Sequence, residues 1–269
     1  MPLTKAQADV LQVICAARTP HSFVAGSTPL NRDAPRYSVD IDIFHDRQDQ
    51  VAAIADADAA TLTRAGFSVA WQRRLSFIHS ALAERGDDRV KVEWVVDADF
   101  RFFPAVADPL FGYALHPLDL ATNKAQAAAN RRELRDIIDL LTIHRDVLAL
   151  GPTVWAAVGK SPGFTPEGLI AEIRRNLIHP ASAWREVVST ETIEPAPTLA
   201  ALRQALDEAE AFVKLMPSDA SERLFLTPTG AVQPAPDRLP EYLWHEGSRG
   251  GRWPDDPAIA RALGAPATA

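Results

Sequence analysis

The segment Ser38–Phe44 limits the fold more than any other, because apolar and acidic residues alternate along it. A β-strand has a side-chain period of two, so Val39 and the two isoleucines are predicted on one face and Asp40 and Asp42 on the other. Two like charges this close repel each other unless a cation lies between them. Carboxylate oxygens without clustered His or Cys suit Mg²⁺ or Mn²⁺ rather than zinc. The segment therefore predicts a strand that binds a divalent metal ion; the alternative is a strand end with two solvated acids.

A second short segment upstream combines a glycine with a hydroxyl. Gly26 and Ser27 follow residues 21–25, which are predicted to form a short strand. Gly26 lacks a side chain where backbone must approach a ligand closely, and Ser27 adds a hydroxyl beside exposed amides, so the turn can hold phosphate oxygens. Ser38 is a further candidate for contact with the nucleotide or with metal-bound water, because it is expected on the strand face of Asp40. A phosphate-binding turn beside a two-carboxylate metal site indicates nucleotidyl transfer.

These residues, in this order, resemble a known superfamily. Gly26-Ser27 followed by Asp40-x-Asp42 is similar to the pattern of the DNA polymerase β-like nucleotidyltransferases, and residues 119–124 and 135–140 resemble the AbiEii-type branch. That branch includes toxins of type IV toxin–antitoxin systems. The resemblance covers roughly residues 20–145. It implies a cytoplasmic enzyme that uses Mg²⁺ or Mn²⁺ and an NTP, with a tRNA 3′ end as acceptor and a cognate antitoxin as partner.

The resemblance also implies a third acid on a neighbouring strand. Glu93 is the best match, as a metal ligand or as the general base for the acceptor hydroxyl, although the family has Asp at this place. Asp97 and Asp99 are weaker candidates for the same role. The alternative is that Glu93 is a surface residue paired with Lys91 or Arg89.

Two further site residues are implied by the later segments. Lys124 matches the lysine that contacts the triphosphate. Asp136 is expected to orient Lys124 or to reach the site through water, from a helix face that it shares with Asp139 and Arg132. Alternatively, Asp139 and Arg135 form a salt bridge.

The predicted fold class is α/β (or α+β): a small mixed β-sheet flanked by helices, followed by a helical C-terminal region. We expect a catalytic domain at 1–118, a helical domain at 119–217 that contributes Lys124 and Asp136, and a hairpin with a tail at 218–269. Asp119 is expected to be a helix N-cap, and Gly151-Pro152 a helix stop. In residues 1–118 the other predicted elements are helices at 4–17 (with Thr4 as cap) and 48–65, a hairpin of 67–72 with 75–82 turning at 72–74, a strand at 89–95, and a loop with one short helix at 97–112. Further along, helices are predicted at 123–129, 132–149, 165–177, 181–189 and 198–215, and a hairpin of 224–227 with 231–232.

Composition excludes several classes of protein. With 47% apolar residues the chain is a folding sequence, and its single Cys15 excludes an internal disulfide and fits a reducing cytoplasm. Residues 1–12 are not a signal peptide, and no apolar run is long enough to predict a membrane span. The seven histidines form no metal-binding pair, and no P-loop is present.

The net charge of −7 argues against broad nucleic-acid coating but leaves room for a local basic groove. The basic residues that could line such a groove are Arg73-Arg74, Arg131-Arg132, Arg249 and Arg252, whereas Arg174-Arg175 is expected only to be solvated.

Three other functions remain open from the sequence. A small-molecule nucleotidyltransferase, such as one that modifies an aminoglycoside, would share the site but would need an acidic acceptor pocket. A protein-modifying enzyme would have the same motifs. A nucleotide-binding or antitoxin-binding module with a decayed site would lack one of the ligands.

Overall fold

The computed structural model describes residues 2–161 and 163–266, which form two compact units. Unit 1 contains the chain up to Asp99 together with Pro104–His116, and unit 2 contains Phe100–Phe103 together with the chain from Pro117 onward. The expected boundary after residue 118 lies close to the one before Pro117. The segments expected as 119–217 and 218–269 both belong to unit 2, and residues 267–269 lie outside the described residues.

Unit 1 is built on one mixed sheet of seven strands. β2 (Asp40–His45) pairs in parallel with β5 (Asp88–Val96), and β1 (Ser22–Ala25) in parallel with β8 (Gly112–Ala114), while the remaining neighbours are antiparallel. The sheet and its flanking helices confirm the predicted α/β fold class. In the order in which they lie in the sheet, the strands are β3 (Ser68–Leu75), β4 (Ile78–Arg85), β5 (Asp88–Val96), β2 (Asp40–His45), β1 (Ser22–Ala25), β8 (Gly112–Ala114) and β7 (Val106–Asp108).

Helices cover one face of this sheet. Helix α1 (Lys5–Ile14) and helix α3 (Gln48–Arg64) form a common core with the sheet, while α2 (Ser27–Leu30) is a single turn after β1. Ile41 and Ile43 are fully buried in this core, as the alternation predicts. The prediction is wrong for Val39, which is 66% exposed because the strand begins only at Asp40. The polar positions of β2 therefore face away from the helices.

The predicted start of the first helix is confirmed. Thr4 caps α1 through a capping box with Gln7, in which each side chain accepts a hydrogen bond from the other residue's backbone N–H. The helix ends three residues earlier than predicted, and Cys15–Ala17 forms a 3₁₀ turn.

The hairpin and the following loop differ from the prediction. The chain turns at Ser76-Phe77 rather than at 72–74, and a β-bulge lies between Trp71 and Arg73 instead. The helix expected within 97–112 is absent from this segment, which forms β6 (Phe100–Arg101), β7 and β8. β7 and β8 form a local hairpin, whereas β8 also pairs with β1, and β6 pairs with residues 248–249. Local propensity does not indicate these distant partners.

Unit 2 is mainly helical and contains two small sheets. The helices are α4 (Pro117–Asn130), α5 (Leu134–Asp146), α6 (Leu150–Ala157), α7 (Pro166–Arg175), α8 (Ala181–Arg185), α9 (Pro195–Leu215) and α10 (Pro257–Ala262). The strands are β9 (Arg223–Thr227), β10 (Gly230–Val232) and β11 (Leu243–Glu246) in one sheet, with β12 (Ser248–Arg249) paired to β6 in the other. The predicted C-terminal hairpin corresponds to β9 and β10.

Two boundaries in unit 2 correct the sequence analysis. Gly151 and Pro152 do not stop a helix: α5 already ends at Asp146, and both residues lie in the first turn of α6, where proline costs no backbone hydrogen bond. Asp119 is not an N-cap, because α4 begins at Pro117. Within the described part of the chain, no helix has both the length and the apolar character that a membrane span requires.

Candidate functional site

Three carboxylates converge on the sheet face that lies opposite the helices. Asp40 and Asp42 lie on β2, and Glu93 lies directly beside Asp42 on the parallel neighbour β5. One oxygen of each carboxylate lies within 4.8 Å of the others. The donors are all hard oxygens, with no His or Cys in the group, so the set fits Mg²⁺ or Mn²⁺. Three carboxylates this close repel one another, and a divalent cation would remove that repulsion.

Glu93 also has a partner on its own strand. The Nζ atom of Lys91 lies 2.8 Å from a carboxylate oxygen of Glu93, whereas Arg89 pairs with Glu84. The side chain of Lys91 is 38% exposed, and ion pairs with this exposure contribute at most about 1 kcal/mol. The surface pairing considered from the sequence is therefore present, and it is weak enough to coexist with a metal-binding role. Asp97 and Asp99 follow the end of β5 and are not part of the carboxylate group.

Gly26 is required by the geometry of the carboxylate group. Its backbone has φ +67°, and a Cβ atom placed on it would lie 2.1 Å from Oδ2 of Asp42. Ala25, the last residue of β1, lies opposite Asp42 in the antiparallel register. The turn at Gly26 thus brings backbone against the Asp42 carboxylate, which a side chain would prevent.

The hydroxyl residues around the turn are buried. Ser27 is 7% exposed and follows Gly26 directly. Ser38 lies before β2 and not in it, contrary to the prediction that it shares the strand face of Asp40. The hydroxyls of Ser38 and Thr28 each lie 2.8 Å from the carbonyl oxygen of Asp40, to which they donate. Both therefore fix the start of the strand that holds the acids.

The part played by Thr28 could not be assigned from its sequence position alone. A threonine after Gly-Ser has no distinctive pattern, and its partner, the Asp40 carbonyl, lies twelve residues further along the chain.

A second charged cluster lies in unit 2. The Nζ atom of Lys124 is 2.8 Å from Asp136 and 3.1 Å from Asp139, and all three side chains are buried. Asp139 thus shares the helix face of Asp136, as the spacing predicts. Burial opposes the ionisation of Asp136, but hydrogen bonds from Arg131 and the charge of Lys124 lower the pKa of this carboxyl below its usual value. The prediction that Asp136 orients Lys124 agrees with this geometry, while contact between Lys124 and a triphosphate stays a prediction.

The arginine beside Asp136 differs from the predicted one. Arg131 donates from Nε to Asp136 at 2.6 Å, whereas Arg132 precedes α5 and donates from Nε to the carbonyl oxygen of Ile178. The prediction failed because α5 starts at Leu134, so helical spacing cannot be extended back to Arg132.

The aspartate that opens the Asp119–Lys124 segment has a structural role that the sequence did not reveal. The two oxygens of Asp119 accept hydrogen bonds from the backbone N–H groups of Phe102 and Phe103, at 2.8 and 2.9 Å. Lys160 donates to the same carboxylate at 2.6 Å and also to Asn123. Asp119 therefore anchors a segment far from it in the chain, and no local pattern indicates Phe102 or Lys160 as its partner.

No protein-family profile matches this chain, and no curated protein matches it. One solved structure to which the chain is similar is MenT4, a nucleotidyltransferase toxin from Mycobacterium tuberculosis. The two share 13% sequence identity with a TM-score of 0.39, over 76% of this chain and 91% of the other. A TM-score this low does not establish a common fold, so the likeness supports no conclusion about function, and the AbiEii-type assignment stays a prediction.

Proposed function

We propose that this chain is a metal-dependent nucleotidyltransferase that moves NMP from an NTP to the hydroxyl of an acceptor. The observation that supports the proposal is the group formed by Asp40, Asp42 and Glu93, whose oxygens lie within 4.8 Å of one another on two neighbouring strands. An acidic group of this kind, beside a glycine turn that brings backbone close to it, suits a triphosphate bound through a divalent ion.

In this proposal the three acids share one task, and the glycine turn has another. Asp40, Asp42 and Glu93 would hold Mg²⁺ or Mn²⁺, which supplies charge neutralisation on the phosphates and on the attacking and leaving oxygens. The turn at Gly26 and Ser27 would bind phosphate oxygens through its backbone N–H groups and the serine hydroxyl. Ser38, assigned from sequence to nucleotide contact, would act by holding the Asp40 backbone in place.

The reaction is an in-line displacement at phosphorus. The acceptor hydroxyl oxygen forms a bond to the α-phosphorus, the bond from that phosphorus to the bridging oxygen breaks, and pyrophosphate leaves. The hydroxyl proton passes to a carboxylate, and we assign it to Glu93, which lies beside Asp42 on the neighbouring strand β5. The protein contributes chiefly orientation and electrostatic stabilisation.

The acceptor and the cellular role depend on the resemblance to AbiEii-type enzymes. It favours the 3′ end of a tRNA as acceptor and a growth-inhibiting toxin countered by a cognate antitoxin. In this role, Lys124 would contact the triphosphate, and Asp136 would orient it.

The test is incubation of the wild-type chain with each labelled NTP, Mg²⁺ and total tRNA. We expect label on tRNA and its loss in Asp42→Asn, which keeps the shape of the side chain and removes a ligand charge. Asp49→Asn is the matched control, because it removes the same charge from an exposed position on α3. Transfer that survives Asp42→Asn would refute the metal site. Label on an added aminoglycoside or protein, but not on tRNA, would refute the acceptor.

A further inference from the structure

The sheet extends the carboxylate group into a row of side chains on the same face. Residues that lie directly opposite each other on neighbouring strands point to the same face of a sheet. In the register of the sheet, Ala25 lies opposite Asp42, Asp42 opposite Glu93, Glu93 opposite Ser80 and Ser80 opposite Arg73. Arg73 on β3 therefore ends a row that begins beside the Gly26-Ser27 turn and passes through the acids.

A β-bulge puts Arg73 in this row. Trp71 lies opposite Ala81 and Arg73 lies opposite Ser80, so Gln72 is an extra residue on β3. In a regular strand, Gln72 would face Ser80, and Arg73 would lie on the helix-covered side of the sheet. Bulges are frequent next to active sites because they redirect a side chain in this way.

The neighbouring arginine shows the contrast between the two faces. Arg74 lies on the helix side, where it pairs with Asp56 of α3 at 2.8 Å and lies over the ring of Trp71. The guanidinium of Arg73 has no hydrogen-bond or ion-pair partner among residues 2–161 and 163–266. An arginine that is exposed, unpaired and directed to the acidic face is available for an anionic ligand.

The distance of Arg73 from the carboxylate group suits a ligand that extends beyond the triphosphate. Neighbouring strands lie about 4.8 Å apart, so the backbone of Arg73 is about 10 Å from that of Glu93. The Gly26-Ser27 turn, proposed for the NTP, lies at the opposite end of the row. In an in-line displacement, the acceptor approaches the phosphorus from the side opposite to the leaving group. The position of Arg73 therefore corresponds to the acceptor side.

We infer that Arg73 binds a phosphodiester of a nucleic-acid acceptor next to the reacting hydroxyl; this rests on the proposed nucleotidyl transfer. A guanidinium forms bidentate hydrogen bonds to phosphate and repels a cationic acceptor such as an aminoglycoside. Arg73 thus selects a polyanionic strand over a small cation.

The experiment compares Arg73→Gln and Arg73→Lys with the matched control Arg74→Gln in the full chain. Three quantities are measured for each variant: the Kd for fluorescently labelled total tRNA at several salt concentrations, the Kd for NTP with Mg²⁺ by calorimetry, and kcat and KM for label transfer to tRNA. The thermal midpoint checks that each variant is folded.

For Arg73→Gln we expect a Kd and a KM for tRNA about tenfold higher, and a salt slope smaller by about one. The kcat at saturating tRNA and the Kd for NTP stay at wild-type values. Arg73→Lys retains most of the tRNA affinity, because it keeps the charge, and Arg74→Gln leaves it unchanged.

Equal effects of the two glutamine variants on tRNA binding would overturn the inference. So would a wild-type chain that binds no tRNA, or a loss in Arg73→Gln confined to NTP binding. A failure of the proposed function can be distinguished from a failure of this inference, because the tRNA Kd and its salt slope are measured without any nucleotidyl transfer.

Discussion

Gly26 and Asp42 lie so close that a Cβ atom on Gly26 would be 2.1 Å from Oδ2 of Asp42. The contact joins the end of one strand to a carboxylate in the middle of the next, across the register of Ala25 with Asp42. A side chain at position 26 would have to displace the carboxylate, so the glycine and the acid form one geometric unit.

Replacing Gly26 by alanine should abolish metal binding and any transfer activity while the chain still folds. The substitution costs about 1–3 kcal/mol, because φ +67° with ψ −145° is a backbone conformation essentially confined to glycine, and it also displaces Asp42. The measurement is Mn²⁺ titration by calorimetry together with NMP transfer.

Gly66→Ala is the control for that variant. Gly66 also has positive φ, +88°, but its Cβ would meet nothing within 4 Å. It should lose stability through its own positive φ and keep the metal affinity. Equal metal binding in both alanine variants would contradict the role of the contact.

Replacing Asp42 by asparagine should remove most of the stabilisation that Mn²⁺ gives the chain. The change takes away the charge of one of the three proposed carboxylate ligands. Wild-type chain should gain thermal stability as Mn²⁺ is added, because a ligand that binds the native state stabilises it. The variant should gain little. An identical Mn²⁺-dependent rise in the thermal midpoint for both proteins would exclude Asp42 as a ligand.

The strand-level predictions succeeded where a short pattern fixes geometry by itself. Alternation around Asp40 and Asp42 gives their common face, and Val90, Val92 and Trp94 mark the buried side of the strand that carries Glu93. That this strand lies beside β2 was implied only by the family resemblance. The capping box at Thr4 is likewise local.

The predictions failed where distant partners decide the structure. Asp119 is an anchor for the Phe102 and Phe103 backbone and not an N-cap, because its partners lie outside its own helix. The β-bulge that turns Arg73 toward the acids has no sequence pattern, since it depends on the pairing of two whole strands. Arg132 was misplaced for a simpler reason: the start of α5 was predicted two residues too early.

Replacing Lys124 by methionine should destabilise the chain by about 3–5 kcal/mol. Asp136 and Asp139 are both buried and would lose the ammonium group that lies 2.8 and 3.1 Å from them. Urea unfolding measures the loss. The double variant Lys124→Met/Asp139→Asn removes one charge of each sign and should recover part of the lost free energy of unfolding. If the double variant folds and binds NTP as tightly as the wild type, the predicted contact of Lys124 with the triphosphate is wrong.

Acid should destabilise the wild-type chain partly through His45. Burial, and secondarily the charge of Arg18, lower the pKa of His45 to about 4, below the ordinary value that applies after unfolding. The neutral imidazole therefore stabilises the fold fully above about pH 6.5, and this contribution falls as the pH drops toward 4, by about 2 kcal/mol between pH 7 and pH 5. Urea unfolding at several pH values measures it. His45→Gln should remove this share of the pH dependence. If the free energy of unfolding of the two proteins changes with pH in parallel, the assignment of this share to His45 is wrong.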